Sequence, residues 1–225
     1  MREFLIVSAT TYETQPLKEY LTSNGREIEG GYLLNNTKIC ILVTGVGGIN
    51  TSWHLQEHFV MQKPYIAINV GIAGSFRDEI PIGAVVEVYR DRFADLGVEN
   101  SDESFSDVFE MQLIEADEFP YKNGWLVNSK RTYLTSLTQV SAVTVNTVNG
   151  SEKSISAIAQ KYAPDVESME GAAFFYACLM SNVPCIQLRG ISNKVEPRNK
   201  NNWNIEEAIV NVNKATLNFI QSFCD

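Results

Sequence analysis

The chain is predicted to fold as a single three-layer α/β domain over residues 1–225, with a mostly parallel or mixed central sheet flanked by helices. Two observations carry this. Short runs rich in β-branched and apolar residues alternate with longer stretches of helical spacing, and some of the short runs are apolar at every position, as strands covered on both faces must be. The hydrophobic share of 44% over 225 residues is enough for one full core, with neither an internal repeat nor a low-complexity linker to divide it.

Residues 4–9 form the first strand, followed by a helix over 13–23. A second strand spans 38–44, and glycines 45, 47 and 48 open a helix over 50–61. The strand at 65–70 is apolar almost throughout and runs into Gly71-Ile72-Ala73-Gly74-Ser75, which reads as a loop where backbone can approach a ligand closely. Runs at 84–89, 125–128, 140–145 and 185–191 complete the strands, and helices are expected over 151–162, 168–181 and 205–223. The segment 97–121 is rich in Asp and Glu and reads as a solvated excursion or interface segment.

Charge and composition narrow the function. A net charge of -9 and a pI near 4.8 argue against a nucleic-acid surface. No apolar run is long enough to span a bilayer, and the first apolar stretch is too short for a signal peptide, so a cytoplasmic protein with no membrane partner is expected. Cys40, Cys178, Cys185 and Cys224 show no paired spacing and read as small core residues in a reducing compartment.

Three motifs compete for the chemistry. Gly45-Val46-Gly47-Gly48-Ile49-Asn50 resembles a dinucleotide loop, but Asn50 stands where the third glycine belongs. A tight turn lining a site suits these glycines better. His54-Leu55-Gln56-Glu57-His58 matches a short zinc pattern, yet these are the only two histidines and a third ligand would have to be a carboxylate.

The third constellation is spread over strand ends. Glu13 follows the first strand, Gly74 lies in the glycine segment, Met169-Glu170 stands at the mouth of an apolar helix, and Arg189 to Asn193 end the last strand. Glu170 alone is equally well explained as a residue favoured by the helix dipole. In an open α/β sheet, however, ligands bind beyond the carboxyl ends of strands, where these separated residues can converge.

Asn69-Val70-Gly71-Ile72-Ala73-Gly74-Ser75, Ser168-Met169-Glu170-Gly171-Ala172-Ala173 and Arg189-Gly190-Ile191-Ser192-Asn193, with Pro197, Arg198 and Trp203 behind them, together resemble the nucleoside phosphorylase and nucleosidase superfamily. Within it the chain is most similar to the futalosine-hydrolysing branch. The resemblance runs from the first strand to the last helix and implies cleavage of an N-ribosidic bond in a purine nucleoside, without metal or organic cofactor. It implies that Glu170 grips ribose hydroxyls, that Met169 packs on the sugar, that Glu13 is the general base for water and that Arg189 helps to hold both. Relatives often supply a serine to that water where this chain has Ile72.

The same resemblance bears on acceptor and base. Phosphorylases carry a Gly-Asp-Pro-x-x-Arg-like loop after the first strand, whereas here Thr10-Thr11-Tyr12-Glu13-Thr14 puts an acid where phosphate would be repelled, favouring water. Nucleosidases of methylthioadenosine or S-adenosylhomocysteine place an Asp where this chain has Asn193. An amide NH2 donates to O6 or N7 of a 6-oxopurine, which a carboxylate would repel, so hypoxanthine nucleosides such as futalosine or inosine are favoured. Thr147 and Val148 are candidates for contacts to the purine, and Trp203 for an aromatic lid. Arg198, or equally Arg92 or Lys194, is the candidate to neutralise the 5' carboxylate of futalosine. The resemblance also implies a homo-oligomer, most simply a dimer. A nucleosidase or phosphorylase of inosine or methylthioadenosine, and a non-catalytic nucleoside-binding module, remain as alternatives.

Overall fold

The computed structural model describes residues 2–128 and 135–223; Cys224 lies outside them. The chain begins with β1 (Arg2–Ser8), a 3-10 turn (Tyr12–Thr14) and α1 (Gln15–Asn24), then β2 (Arg26–Ile28), β3 (Gly31–Leu34), β4 (Thr37–Val43) and α2 (Gly48–Met61). The middle of the chain supplies β5 (Ile66–Ser75), β6 (Val85–Phe93), β7 (Gly97–Glu99), β8 (Phe105–Asp107), β9 (Tyr121–Lys122), β10 (Trp125–Val127) and β11 (Thr138–Thr144). The last part contains α3 (Glu152–Tyr162), β12 (Val166–Ser168), α4 (Gly171–Met180), β13 (Cys185–Lys194), a 3-10 turn (Lys200–Asn202) and α5 (Ile205–Gln221).

The expected α/β architecture with a mixed central sheet between helices is observed. β1 pairs in parallel with β4 and β5, and β5 in parallel with β13. Part of the sheet goes further and closes on itself. β5 pairs with β12, β12 with β11, β11 with β6, β6 with β13, and β13 again with β5.

Period-two alternation explains how the sheet is covered on both sides. Phe4 and Ile6 of β1 pack with Ile66, Ile68, Ile186 and Leu188 in a core that also holds Leu17 and Leu21 of α1 and Val212 and Ile220 of α5. The intervening Leu5, Val7, Ala67 and Cys185 face the opposite core, with Leu55 and Phe59 of α2 and Phe174, Phe175 and Cys178 of α4. Helix α4 is apolar on all sides because it is buried between the sheet and α2, which fits a helix without a solvent face.

Four expectations are corrected. Residues 71–75 are the last part of β5, not a loop, because they are held against β13. Helix α4 starts at Gly171, not at 168, because Val166–Ser168 pair with β11 and β5. The hairpin of β2 and β3 extends the sheet where the sequence suggested no strand. The acidic segment carries its own small β7–β8 ladder, and Asp107 within it is buried against Arg92 at 2.8 Å.

Contact between α5 and β13 is close enough to require a glycine. A Cβ on Gly190 would stand 2.2 Å from the carbonyl oxygen of Ala208, a backbone atom that cannot rotate away. Gly190→Ala is therefore expected to destabilise the protein by about 1–3 kcal/mol. Thermal melting should show a midpoint lowered by roughly 2–4 °C for each kcal/mol.

Candidate active site

The carboxyl ends of β1, β5 and β13 lie side by side, and the polar groups of three of the expected site segments meet there around a cavity of about 350 Å³. Glu13 reaches it from the 3-10 turn after β1. Its Oε2 accepts from the Thr10 amide at 2.9 Å and the Thr10 hydroxyl at 3.1 Å, while Oε1 accepts from the Ile72 amide at 3.3 Å. The turn itself is tied to α5, where Asn213 donates to the Glu13 carbonyl at 2.7 Å and accepts from the Leu17 amide at 3.2 Å.

Arg189, on β13, has only 2% of its surface exposed and stands outside the cavity lining. Its Nη2 donates to Asn69 Oδ1 and, at 3.2 Å, to Gln187 Oε1. Asn69 is itself oriented by donation to the Val7 carbonyl at 3.1 Å. Gly71, paired with Arg189 in the sheet, explains how carboxylate and cation come together: a Cβ there would stand 2.7 Å from Arg189 Nη1 and 2.9 Å from Glu13 Oε1. The missing side chain lets an acceptor and a donor close on the strand from two sides.

Glu170 holds the residue before the first turn of α4 and is 9% exposed. It does not cap the helix; instead its Oε1 accepts from the Gly47 amide at 2.9 Å. Gly47 has φ of 94°, a left-handed conformation that glycine adopts without strain. The glycine turn after β4 thus holds the carboxylate, and Val46 lines the same cavity. Met169 is half-buried in the lining beside it.

Electrostatics couple the charged groups. Burial raises the pKa of Glu13, with nearby Glu170 adding to the shift and Arg189 opposing it. Burial lowers that of Arg189, opposed by Glu170, Glu13 and Asp91.

At the other end of the cavity Asn193 is in register with Gly74, which pairs with Glu167 on its far side. The Ser192 hydroxyl donates to Asn193 Oδ1 at 2.8 Å, so the amide presents NH2 on its other side. One hydrogen of that NH2 goes to the Lys194 carbonyl at 2.7 Å; Nδ2 lies 3.1 Å from where a Cβ on Gly74 would be. Asn193 therefore offers a donor beside Gly74, whose face it shares with Val195. Glu167 accepts from the Asn149 amide at 3.1 Å and from its side chain, fixing the segment after β11 against the cavity.

Of the other expected residues, Val148, Trp203 and Arg198 line the cavity, whereas Thr147 is exposed and lies outside the lining. Arg92 is corrected as a candidate: it is bound to Asp107 and stacked on Tyr162 and Trp125, away from the cavity. Lys194 lines the cavity, but its ammonium is directed to the carbonyls of Arg77 and Ile80. The two histidines diverge, His54 beside Glu57 and His58 beside Glu3, and among the described residues no group of three side chains is arranged to hold a metal. No helix of the described residues is long and apolar enough to cross a membrane. Glu167, Asn149, Gln187, Asn213 and Tyr12 were not anticipated. A signal existed only for Asn213, a polar residue on the apolar face formed by Ile209, Val212 and Ile220.

The sequence profile of the family described as Phosphorylase superfamily matches residues 3–224. Over 178 residues the chain is 28% identical to a futalosine hydrolase of Thermus thermophilus, covering 78% of each sequence. Over 168 residues it is 29% identical to a 5'-methylthioadenosine/S-adenosylhomocysteine nucleosidase of Maridesulfovibrio salexigens, covering 72% of this chain and 71% of that one. Among solved structures, the 5'-methylthioadenosine/S-adenosylhomocysteine nucleosidase of Helicobacter pylori with butyl-thio-DADMe-Immucillin-A superposes with a TM-score of 0.79 at 14% identity, over 99% of both chains. At that identity the likeness concerns the fold.

Proposed function

Because the chain belongs to the phosphorylase superfamily, we propose that it is an N-ribosyl hydrolase of purine nucleosides and that futalosine is its substrate, with hypoxanthine released on the way to menaquinone. The observation that carries the reaction class is the approach of Glu13 and Arg189 to the bare Cα of Gly71, with Glu13 and Glu170 both lining the cavity. The attacking water donates to Glu13 and, on this reading, accepts from Arg189. As the glycosidic bond lengthens, positive charge grows on the ribosyl ring. Glu170, accepting from ribose hydroxyls, stabilises that charge more than it stabilises the neutral sugar. Glu13 takes the proton from water as it attacks, and the base leaves with the bonding electrons. Acid at Glu13 and the absence of a phosphate loop after β1 favour water over phosphate as acceptor.

Asn193 supports a 6-oxopurine. With its oxygen engaged by Ser192, the amide donates to O6 or N7 of hypoxanthine above Gly74, whereas the 6-amino group of adenine would meet another donor. Arg198, exposed at the cavity wall, is the cation left to meet the 5' carboxylate of futalosine, since Arg92 and Lys194 are engaged elsewhere. Trp203 covers the cavity near the same wall. We assign the protein to the cytoplasm.

Self-association is supported by an apolar surface at the start of α2. Ile49 is 85% and Trp53 68% exposed, and both line a depression of about 580 Å³ that also takes in Gly48 of the glycine turn. A second copy covering this surface would press on the turn that holds Glu170.

Incubation with futalosine, inosine and methylthioadenosine, with and without phosphate, tests the reading through the released base. Hypoxanthine from futalosine should dominate in either buffer; ribose 1-phosphate would refute hydrolysis, and adenine as the main product would refute the base assignment. Asn193→Asp should shift the ratio of 6-oxo to 6-aminopurine turnover by at least about tenfold towards adenine, a change of about 1.4 kcal/mol. Glu13→Gln should lower kcat by about a hundred- to ten-thousand-fold. Since the base must be ionised and its pKa is raised, wild-type kcat/KM should start to fall on acidification above the ordinary carboxylate range. Light scattering should report a dimer, and Trp53→Glu a monomer.

A further inference from the structure

Beneath the cavity lies a carboxylate that the proposed mechanism does not use. Asp91, on β6, has no exposed surface. It accepts from the Arg92 amide at 2.8 Å and the Thr144 hydroxyl at 3.0 Å through Oδ1, and from Gln187 Nε2 at 2.9 Å through Oδ2. A carboxylate accepts only, so each partner must turn a hydrogen towards it. Gln187 then turns Oε1 outward, where it accepts from Arg189 Nη2 at 3.2 Å. Thr144 likewise leaves a lone pair that accepts from the Ala172 amide at 2.7 Å, in the first turn of α4. Gly171 closes over this arrangement so tightly that a Cβ would stand 2.1 Å from Asp91 Oδ2 and 2.4 Å from Gln187 Oε1.

We propose that Asp91 is a positioning residue that sets hydrogen-bond polarity on both sides of the site, orienting Arg189 through Gln187 and anchoring the first turn of α4, next to Glu170, through Thr144. The catalytic consequence rests on the reading of Glu13 and Arg189 as the water-holding pair; the orientation of Arg189 does not. Replacing Asp91 with an asparagine separates the branches. The amide keeps an oxygen for Arg92 and Thr144 but turns NH2 towards Gln187, whose own amide must flip and present its NH2 to a cation. Gln187→Glu in the same chain repairs this, because a carboxylate there accepts both from the introduced amide and from Arg189, and it restores the negative charge on the neighbouring strand.

Asp91→Asn is expected to lower kcat by about tenfold or more with KM changed less than about threefold, and the double variant D91N/Q187E to recover most of kcat. Loss of kcat without recovery in the double variant, or equal changes in kcat and KM, would overturn the proposal. Crystal structures of the variants give a readout that needs no substrate: in D91N the Arg189 guanidinium should leave Gln187, and in D91N/Q187E it should return. An unmoved Arg189 in D91N overturns the proposal whatever nucleoside the protein cleaves. Should D91N fail to fold, Gln187→Met, which leaves Asp91 its contacts to Thr144 and Arg92, carries the same expectation for Arg189 and kcat.

Discussion

A guanidinium withdrawn almost wholly from water governs the arrangement around it. Leaving an ion of this kind without partners costs several kcal/mol, while each hydrogen bond to a charged group returns about 1.5–3 kcal/mol. Arg189 therefore needs more than one acceptor and nearby negative charge. Asn69 and Gln187 supply the acceptors, and Glu13, Glu170 and Asp91 supply the charge. Each is held in turn from another element: Asn69 by β1, Gln187 by Asp91, Glu13 by its own turn and by β5, and Glu170 by the turn after β4. Two of the groups that make Arg189 tolerable, Glu13 and Glu170, are also the ones proposed to act on substrate, so the proposed chemistry and local stability share one network.

Glycines do much of the assembly, each by allowing a different close approach. Gly71 lets Glu13 and Arg189 press on the strand face, Gly74 does the same for Val195 and Asn193, and Gly171 lets a helix start directly over buried Asp91 and Gln187. Gly47 instead supplies a backbone conformation, turning its amide to a carboxylate from a distant part of the chain. These positions are strand, helix and turn respectively, so one residue type serves three unrelated geometric needs.

What could be read in the sequence follows the same division. Strands such as β1, β4 and the first part of β5 were legible because both faces are covered and the sequence is apolar in consecutive positions. β12 was not, because it is three residues long with Glu167 at its centre, and residues 71–75 looked like a loop because the glycines that make space for side chains also mimic turn chemistry. Glu13, Glu170, Arg189 and Asn193 stood out through their resemblance to a family pattern. Asp91, Gln187 and Asn149 carry no such mark: each is an ordinary polar residue whose meaning depends on a partner far away in the chain, such as Gln187 for Asp91 and Glu167 for Asn149.

The ring of β5, β12, β11, β6 and β13 has a consequence for how the protein is made. β13 closes the ring between β5 and β6, and it carries Arg189 and Asn193. Glu13 and the glycine turn leave the ribosome early, but their buried cation reaches them only with the final strand. A nascent or C-terminally truncated chain thus holds its acids without that cation and its barrel open along two strand edges. Surveillance by chaperone or protease would find there both unpaired backbone and mismatched charge, and insertion of β13 removes both at once.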